Sequence, residues 1–221
     1  MRLNKYIALA TNLSRRGADA AIAEFRVGIN GKTAQVGTEV TASDVVTLDG
    51  GVITPPVNRV TIMLNKPPGY IVSKDGQGGE TVYDLLPHGY DRLNPVGRLD
   101  KDSSGLLLLT NDGDLAQRLT HPSHQKRKVY EVTLDKPLQP LHRQMISDHG
   151  IQLEDGLSKF ELDRLKEGDD KQWKVTMSEG RNRQIRRTFD ALDYDIKKLH
   201  RTSFGEYQLS DLKTGEFQNV S

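Results

Sequence analysis

Apolar residues recur at two different periods along this chain, and the change of period divides it. Leu3, Ile7 and Ala10 fall on one helical face and predict a short helix over residues 3–11. Ser14 is placed to cap a second helix whose apolar face holds Ala18, Ala21, Ile22 and Phe25. Val27-Gly28-Ile29 and residues 32–36 flank Asn30-Gly31, a pair that tolerates the positive φ values of a tight hairpin turn, and residues 44–48 offer one more strand. Gly50-Gly51-Val52-Ile53-Thr54-Pro55-Pro56 suits neither period. Residues 1–50 therefore read as a small domain, 51–59 as a linker, and 60–221 as a larger domain.

In the larger domain the period falls to two. Val60, Ile62 and Leu64 alternate as a half-buried strand that Pro67-Pro68-Gly69 must stop. Leu106-Leu107-Leu108-Leu109-Thr110 reads as a buried strand, and residues 129–134 and 173–177 alternate. A helix burying Ile185, Phe189 and Leu192 is expected after Asn182 as its cap. Strands without a regular strand–helix–strand rhythm predict an α+β domain with a mixed, largely antiparallel sheet.

Composition narrows the chemistry. The chain has 221 residues, 35% hydrophobic and 28% charged, which fits a folded soluble protein. With no cysteine there is no disulfide, thiolate nucleophile or cysteine-held zinc. No early apolar run resembles a signal peptide, and the expectation is a cytoplasmic protein. Net charge is only +1, but the cations are clustered. Four arginines lie within Arg181-Asn182-Arg183-Gln184-Ile185-Arg186-Arg187, and Lys126-Arg127-Lys128 is a second group. Arg15-Arg16, with Arg2 and Lys5, forms a third. Arg15 and Arg16 would sit in the first turn of a helix, where cations oppose the helix dipole and a phosphate would relieve them. These four residues are the expected RNA contacts of the small domain.

The densest chemical candidate is Gly97-Arg98-Leu99-Asp100-Lys101-Asp102-Ser103-Ser104-Gly105, a polar loop running into the leucine strand. Asp100 there suits a turn cap or a reacting carboxylate. A calcium loop fails, because the twelfth position is Asn111 where a bidentate glutamate is needed. His121-Pro122-Ser123-His124 has no nearby third ligand for a metal. Gly76-Gln77-Gly78-Gly79 lacks the lysine of a phosphate loop.

The aspartate loop is similar to the signature loop of the ribosomal RNA pseudouridine synthases of the RsuA/RluB/RluF branch. Four further stretches, in order, resemble motifs of the same family: Leu64-Asn65-Lys66-Pro67-Pro68-Gly69, Lys128-Val129-Tyr130-Glu131-Val132, Glu179-Gly180-Arg181-Asn182-Arg183-Gln184-Ile185-Arg186-Arg187, and Leu199-His200-Arg201. Arg2-Leu3-Asn4-Lys5-Tyr6-Ile7 with Ser14-Arg15-Arg16 resembles the small αL RNA-binding domain that precedes many members.

The resemblance implies isomerisation of uridine to pseudouridine in ribosomal RNA, large-subunit RNA before small-subunit RNA. It implies Asp100 as the catalytic carboxylate, Tyr130 against the uracil, and Arg186 paired with Asp100 to keep it ionised. Arg98 would help expel the base, Ile185 would floor the pocket, and Arg183, Arg187 and Lys128 would meet the RNA. The partner is structured ribosomal RNA with a flipped target uridine, free or in a pre-ribosomal particle. Neither cofactor, metal nor membrane is implied, and the enzyme is expected to be a monomer. Two rivals stand beside this: a non-catalytic ribosome assembly factor on the same scaffold, and a glycosidase using Asp102 as its second carboxylate.

Overall fold

A computed structural model describes residues 1–56 and 58–220. The chain forms two compact units, Met1–Arg59 and Val60–Ser221. In the first, helix α1 (Leu3–Ala10) buries Leu3 and Ile7, and α2 (Arg15–Ala23) buries Ala18, Ala21 and Ile22. Ser14 caps α2 by accepting a hydrogen bond from the Gly17 amide at 3.0 Å. Strands β1 (Val27–Ile29) and β2 (Lys32–Thr33) turn through Asn30 and Gly31, whose φ values of 51° and 79° suit a two-residue hairpin. Strands β3 (Val46–Leu48) and β4 (Gly51–Val52) complete a sheet ordered β2-β1-β3-β4.

Three expectations need correction here. Phe25 is 80% exposed rather than buried, because α2 ends at Ala23 and Phe25 takes a positive φ. The third strand starts at Val46, since the Asp44 carboxylate folds back to accept from the Thr41 amide at 2.8 Å. Gly51 and Val52 are strand, and Ile53 packs on this unit's core, so the first residues of the expected linker belong to the domain.

The second unit carries β5 (Thr61–Lys66), β6 (Asn94–Pro95), β7 (Ser104–Thr110), α3 (Gly113–Thr120), β8 (Lys128–Leu134) and α4 (Pro140–Gln144). Then follow β9 (Ile151–Leu153), β10 (Gly156–Ser158), β11 (Glu161–Arg164), β12 (Gln172–Met177), α5 (Gln184–Asp190), β13 (Ile196–Phe204), β14 (Tyr207–Gln208) and β15 (Phe217–Asn219). The main sheet runs β11-β12-β8-β13-β7-β5-β15, with β14 on β13 and β6 on β7. Its described pairings are antiparallel except β13 with β7. Strands β9 and β10 form a separate hairpin.

Cores lie on both faces of the central strands. Ile62, Leu64, Leu107 and Leu109 join Trp173, Ile185 and Phe189 on one face, while Met63, Leu106 and Leu108 join Leu119 and Phe204 on the other. Strand β5 is therefore buried at every position, not half-buried as its alternation predicts. Leucines 106 to 109 are all fully buried, each contributing about 1.5–3 kcal/mol of burial. That makes β7 a rigid support for the loop before it.

The parallel junction is tight. A Cβ on Gly105 (φ 105°) would come 2.2 Å from the Arg201 carbonyl oxygen and 2.6 Å from its amide nitrogen, so only glycine lets β7 and β13 meet there.

Candidate active site

The loop before β7 presents its residues by alternation. Leu99 is buried and Arg98 and Asp100 on either side are more open; all three line a cleft of about 1240 Å³. The volume exceeds that of a typical small-molecule pocket and suits a polymer segment. Among its lining residues are eight arginines and lysines against three acids, so a nearly neutral protein concentrates positive charge here.

Lys66, at the end of β5, holds this loop from below. It is fully buried, and its Nζ donates to the carbonyls of Ser103 (2.7 Å), Pro67 (3.0 Å), Asp100 (3.2 Å) and Lys101 (3.3 Å). Burial pushes its pKa down to about 8, against the charges of Asp102 and Asp100. The Asp100 carbonyl also accepts from the Ser103 amide at 3.1 Å, closing a turn.

Helix α5 supplies the other wall. Its N-cap is Arg183, not Asn182, and Arg183 takes a left-handed backbone (φ 45°, ψ 29°) that costs on the order of 1–3 kcal/mol. That conformation aims its guanidinium at the loop: Nη1 lies 3.6 Å from Asp100 Oδ2 and 3.2 Å from Asp102 Oδ1. Arg186 does not pair with Asp100 as the sequence suggested. Its Nη2 reaches Asp102 Oδ2 at 3.2 Å, the Asp102 carbonyl at 3.2 Å and Ser103 Oγ at 3.3 Å. The reason is the cap: the left-handed turn puts Arg183 in front of Asp100, and Arg186, one turn further, meets the next acid. Burial works against the charged form of Asp102, but Arg183 and Arg186 hold its carboxyl below the usual range.

The loop carrying Arg183 is itself fastened. Asp155, in the β9–β10 turn, binds Arg187 through 2.7 and 3.0 Å contacts and Arg181 at 2.9 Å. Arg187 Nε also donates to the Asn182 carbonyl at 2.9 Å. Hydrogen bonds from Arg187, with the charges of both arginines, keep the Asp155 carboxyl below its usual range. Arg187 and Arg186 are not among the cleft-lining residues, so the charge of Arg187 is spent on Asp155. Buried Gln184 donates to Ser158 Oγ and to the Glu179 carboxylate, and accepts from the Arg181 amide.

The cleft floor comes from β8, β13 and α5. Tyr130 is 8% exposed and lines the cleft, with Ile185 and Leu199 beside it. Its hydroxyl makes no hydrogen bond among the described residues. Lys128 also lines the cleft, but its ammonium donates to the carbonyls of Lys126, Ser178 and Glu179 at 3.2–3.3 Å, tying β8 to the arginine-bearing loop. Burial, then the charge of Arg201, lowers its pKa. In the other unit Arg15 and Arg16 are exposed in the first turn of α2, Arg2 caps α1, and Lys5 lies in its first turn.

A family model described as RNA pseudouridylate synthase matches residues 60–191. The chain belongs to that family. It is 36% identical, over its whole length and 76% of the relative, to dual-specificity RNA pseudouridine synthase RluF of Escherichia coli (strain K12). It is 37% identical to ribosomal large subunit pseudouridine synthase B of Bacillus subtilis (strain 168), covering all of this chain and 92% of that one. Ribosomal small subunit pseudouridine synthase A of Pasteurella multocida (strain Pm70) matches at 34%, covering 100% and 96%. A crystal structure of a pseudouridylate synthase superposes with a TM-score of 0.71 at 31% identity, covering all of this chain and 96% of the other.

Sequence reasoning picked out six of the residues that line this pseudouridylate synthase cleft: Arg98, Asp100, Lys128, Tyr130, Arg183 and Ile185. It assigned no role to Lys66, Asp155 or Arg201, and gave Asp102 only that of a glycosidase's second carboxylate. Lys66 stands inside a quoted motif, but nothing local says that a lysine in an apolar strand points at a loop 34 residues on.

Proposed function

We propose that this protein converts uridine to pseudouridine in structured ribosomal RNA, with Asp100 as the reacting carboxylate and no cofactor. One observation carries the reading: a single cationic cleft brings Asp100, with a guanidinium 3.6 Å away, together with a tyrosine whose hydroxyl is unused. A carboxylate so placed can attack the ribose carbon or stabilise positive charge there while the bond to the base nitrogen breaks. Arg183, 3.6 Å away, orients it. Ile185, Leu199 and Tyr130 offer the apolar surface an unstacked uracil needs, and Tyr130 is placed to take part in the final proton removal from carbon.

Arg98, exposed at the cleft mouth, is free to fill the gap left by the flipped base. Arg2, Lys5, Arg15 and Arg16 would add phosphate contacts from the N-terminal unit. The glycosidase alternative loses support because Asp102 is already held by two arginines. Large-subunit RNA is the proposed target, on the likeness of residues 181–187 and 197–201 to members acting there; the relatives include synthases named for either subunit.

Asp100→Asn should abolish pseudouridine formation in ribosomal RNA transcripts while leaving RNA affinity within a few fold. Full activity in that variant overturns the reading. Mapping pseudouridines in both ribosomal RNAs from cells with and without the gene assigns the subunit.

A further inference from the structure

Arg201 is a buried cation without an acid. It is 2% exposed, yet among the described residues no carboxylate pairs with it. Its Nε donates to the Leu106 carbonyl at 2.8 Å, its guanidinium carbon lies 4.9 Å from the Phe204 ring centroid, and its Nη2 is buried with no partner. The arginines of the adjoining loop and helix have acids, Arg181 and Arg187 in Asp155, Arg183 and Arg186 in Asp102, and Arg98 is exposed to solvent. Lys128 sits 5.5 Å from the same Phe204 ring, so a second positive charge faces it rather than a compensating negative one. An unpaired buried charge is costly, and one kept in a cleft floor points to a ligand that supplies the missing partner.

Position identifies that partner. Arg201 is paired in register with Tyr130, so both side chains stand side by side on the face that lines the cleft. Arg98 and Arg183 are exposed, so backbone phosphates of a docked RNA would be met at the rim. What goes deepest from a flipped nucleotide is its base. Uracil bound to ribose is neutral and offers two carbonyl oxygens. When the bond from ribose C1′ to N1 breaks, its electron pair stays on N1, and the ring becomes an anion with charge shared over N1 and those oxygens.

We propose that Arg201 is the counter-ion of the departing uracil, with Nη2 donating to a base carbonyl oxygen and its charge stabilising the detached anion. This rests on the pseudouridine reading. The sequence balances as follows: Asp100 takes up the electron-poor C1′ as N1 leaves with the bonding pair. The ring turns, and C5 bonds to C1′ as the carboxylate departs with its pair. The C5 proton is then lost and N1 regains one, so the product is an isomer of the substrate. Arg201 matters at the first of these stages. The alternative is a purely structural arginine that pins β13 to β7 through Leu106.

The two separate by leaving group. Full-length wild type, Arg201→Met and Arg201→Lys would be given transcripts carrying uridine or 5-fluorouridine at the target. The single-turnover rate of the N1-to-C5 rearrangement is measured. Fluorine stabilises the detached anion without help from the protein. Arg201→Met should slow uridine on the order of 10²- to 10³-fold, with a loss at least about tenfold smaller for 5-fluorouridine. Arg201→Lys should fall between, and affinity for a transcript with an abasic target should not change. Equal losses on the two bases, or lost affinity for abasic RNA, overturn the proposal. Should the methionine variant fail to fold, the lysine variant carries the same comparison, and equal losses there overturn it equally. Wild-type turnover of uridine tests the parent reading separately.

Discussion

Lys66→Met separates the holding of the catalytic loop from the stability of the fold. Four carbonyls converge on its ammonium, but two keep another donor: the Ser103 amide on Asp100 at 3.1 Å, and the Gly69 amide on Lys101 at 2.7 Å. At most the carbonyls of Pro67 and Ser103 are left bare, at about 1–3 kcal/mol each. Against this stands the cost of the buried charge. A pKa lowered from 10.5 to about 8 means a penalty of about 3 kcal/mol at neutral pH, which methionine does not carry. The two effects are of like size and opposite sign, so net stability should shift by no more than about 3 kcal/mol. Catalysis has no such compensation. The side chain bonded to residues 100, 101 and 103 at once is gone, and a misplacement of about 1 Å costs on the order of 10²-fold in rate. Pseudouridine formation at saturating RNA should show the loss in kcat with KM little changed, since buried Lys66 is out of reach of RNA. Denaturant titration also has a signed pH dependence. Unfolded lysine holds its proton up to pH 10.5 and folded Lys66 only to about 8, so between these values wild type should gain stability relative to the variant, and below 8 the difference should be flat. A variant with wild-type kcat refutes the positioning role.

Gly105→Ala should give a protein destabilised by at least about 3 kcal/mol or insoluble, because its Cβ would overlap the backbone of Arg201 in a strand that cannot retreat; a soluble variant melting like wild type contradicts the close junction. Asp155→Ala frees Arg181 and Arg187 together, so turnover should fall about tenfold while RNA affinity holds or rises, as two cations become available to phosphate. Filter binding alongside turnover decides it: loss of affinity with unchanged kcat would mean that Asp155 does not act through the arginine loop.

What the sequence disclosed depended on whether the cause was local. Ser14, Asn30-Gly31 and the leucine run were legible because capping, turn geometry and burial act over a few residues. Strand β13 was not, since Lys197-Lys198-Leu199-His200-Arg201 has a polar look; it is a strand because its flank accepts both β8 and β7, which are distant in sequence. Asp100, Tyr130 and Ile185, which share the cleft, were singled out through motif likeness. The assignment of each arginine was not, because a guanidinium's role follows from which carboxylate it meets, and Asp155 and Asp102 come from other elements.

That dependence orders the cations by depth. Arg181 and Arg187 are taken by Asp155 and fasten the loop; Arg183 and Arg186 are shared with Asp102, and among the four Arg183 alone is paired with Asp100, at 3.6 Å. Asp102 therefore limits how tightly the nearest guanidinium can clamp the Asp100 carboxylate. A full bidentate pair would occupy both oxygens of Asp100 and blunt it as a nucleophile. With two hydrogen bonds to Asp102 at 3.2 and 3.4 Å and only a longer contact to Asp100, Arg183 supplies charge without occupying the oxygen proposed to reach the sugar. The adjacent acid at position 102, which first looks like a second catalytic carboxylate, acts in this geometry by keeping the arginine from binding the first too closely.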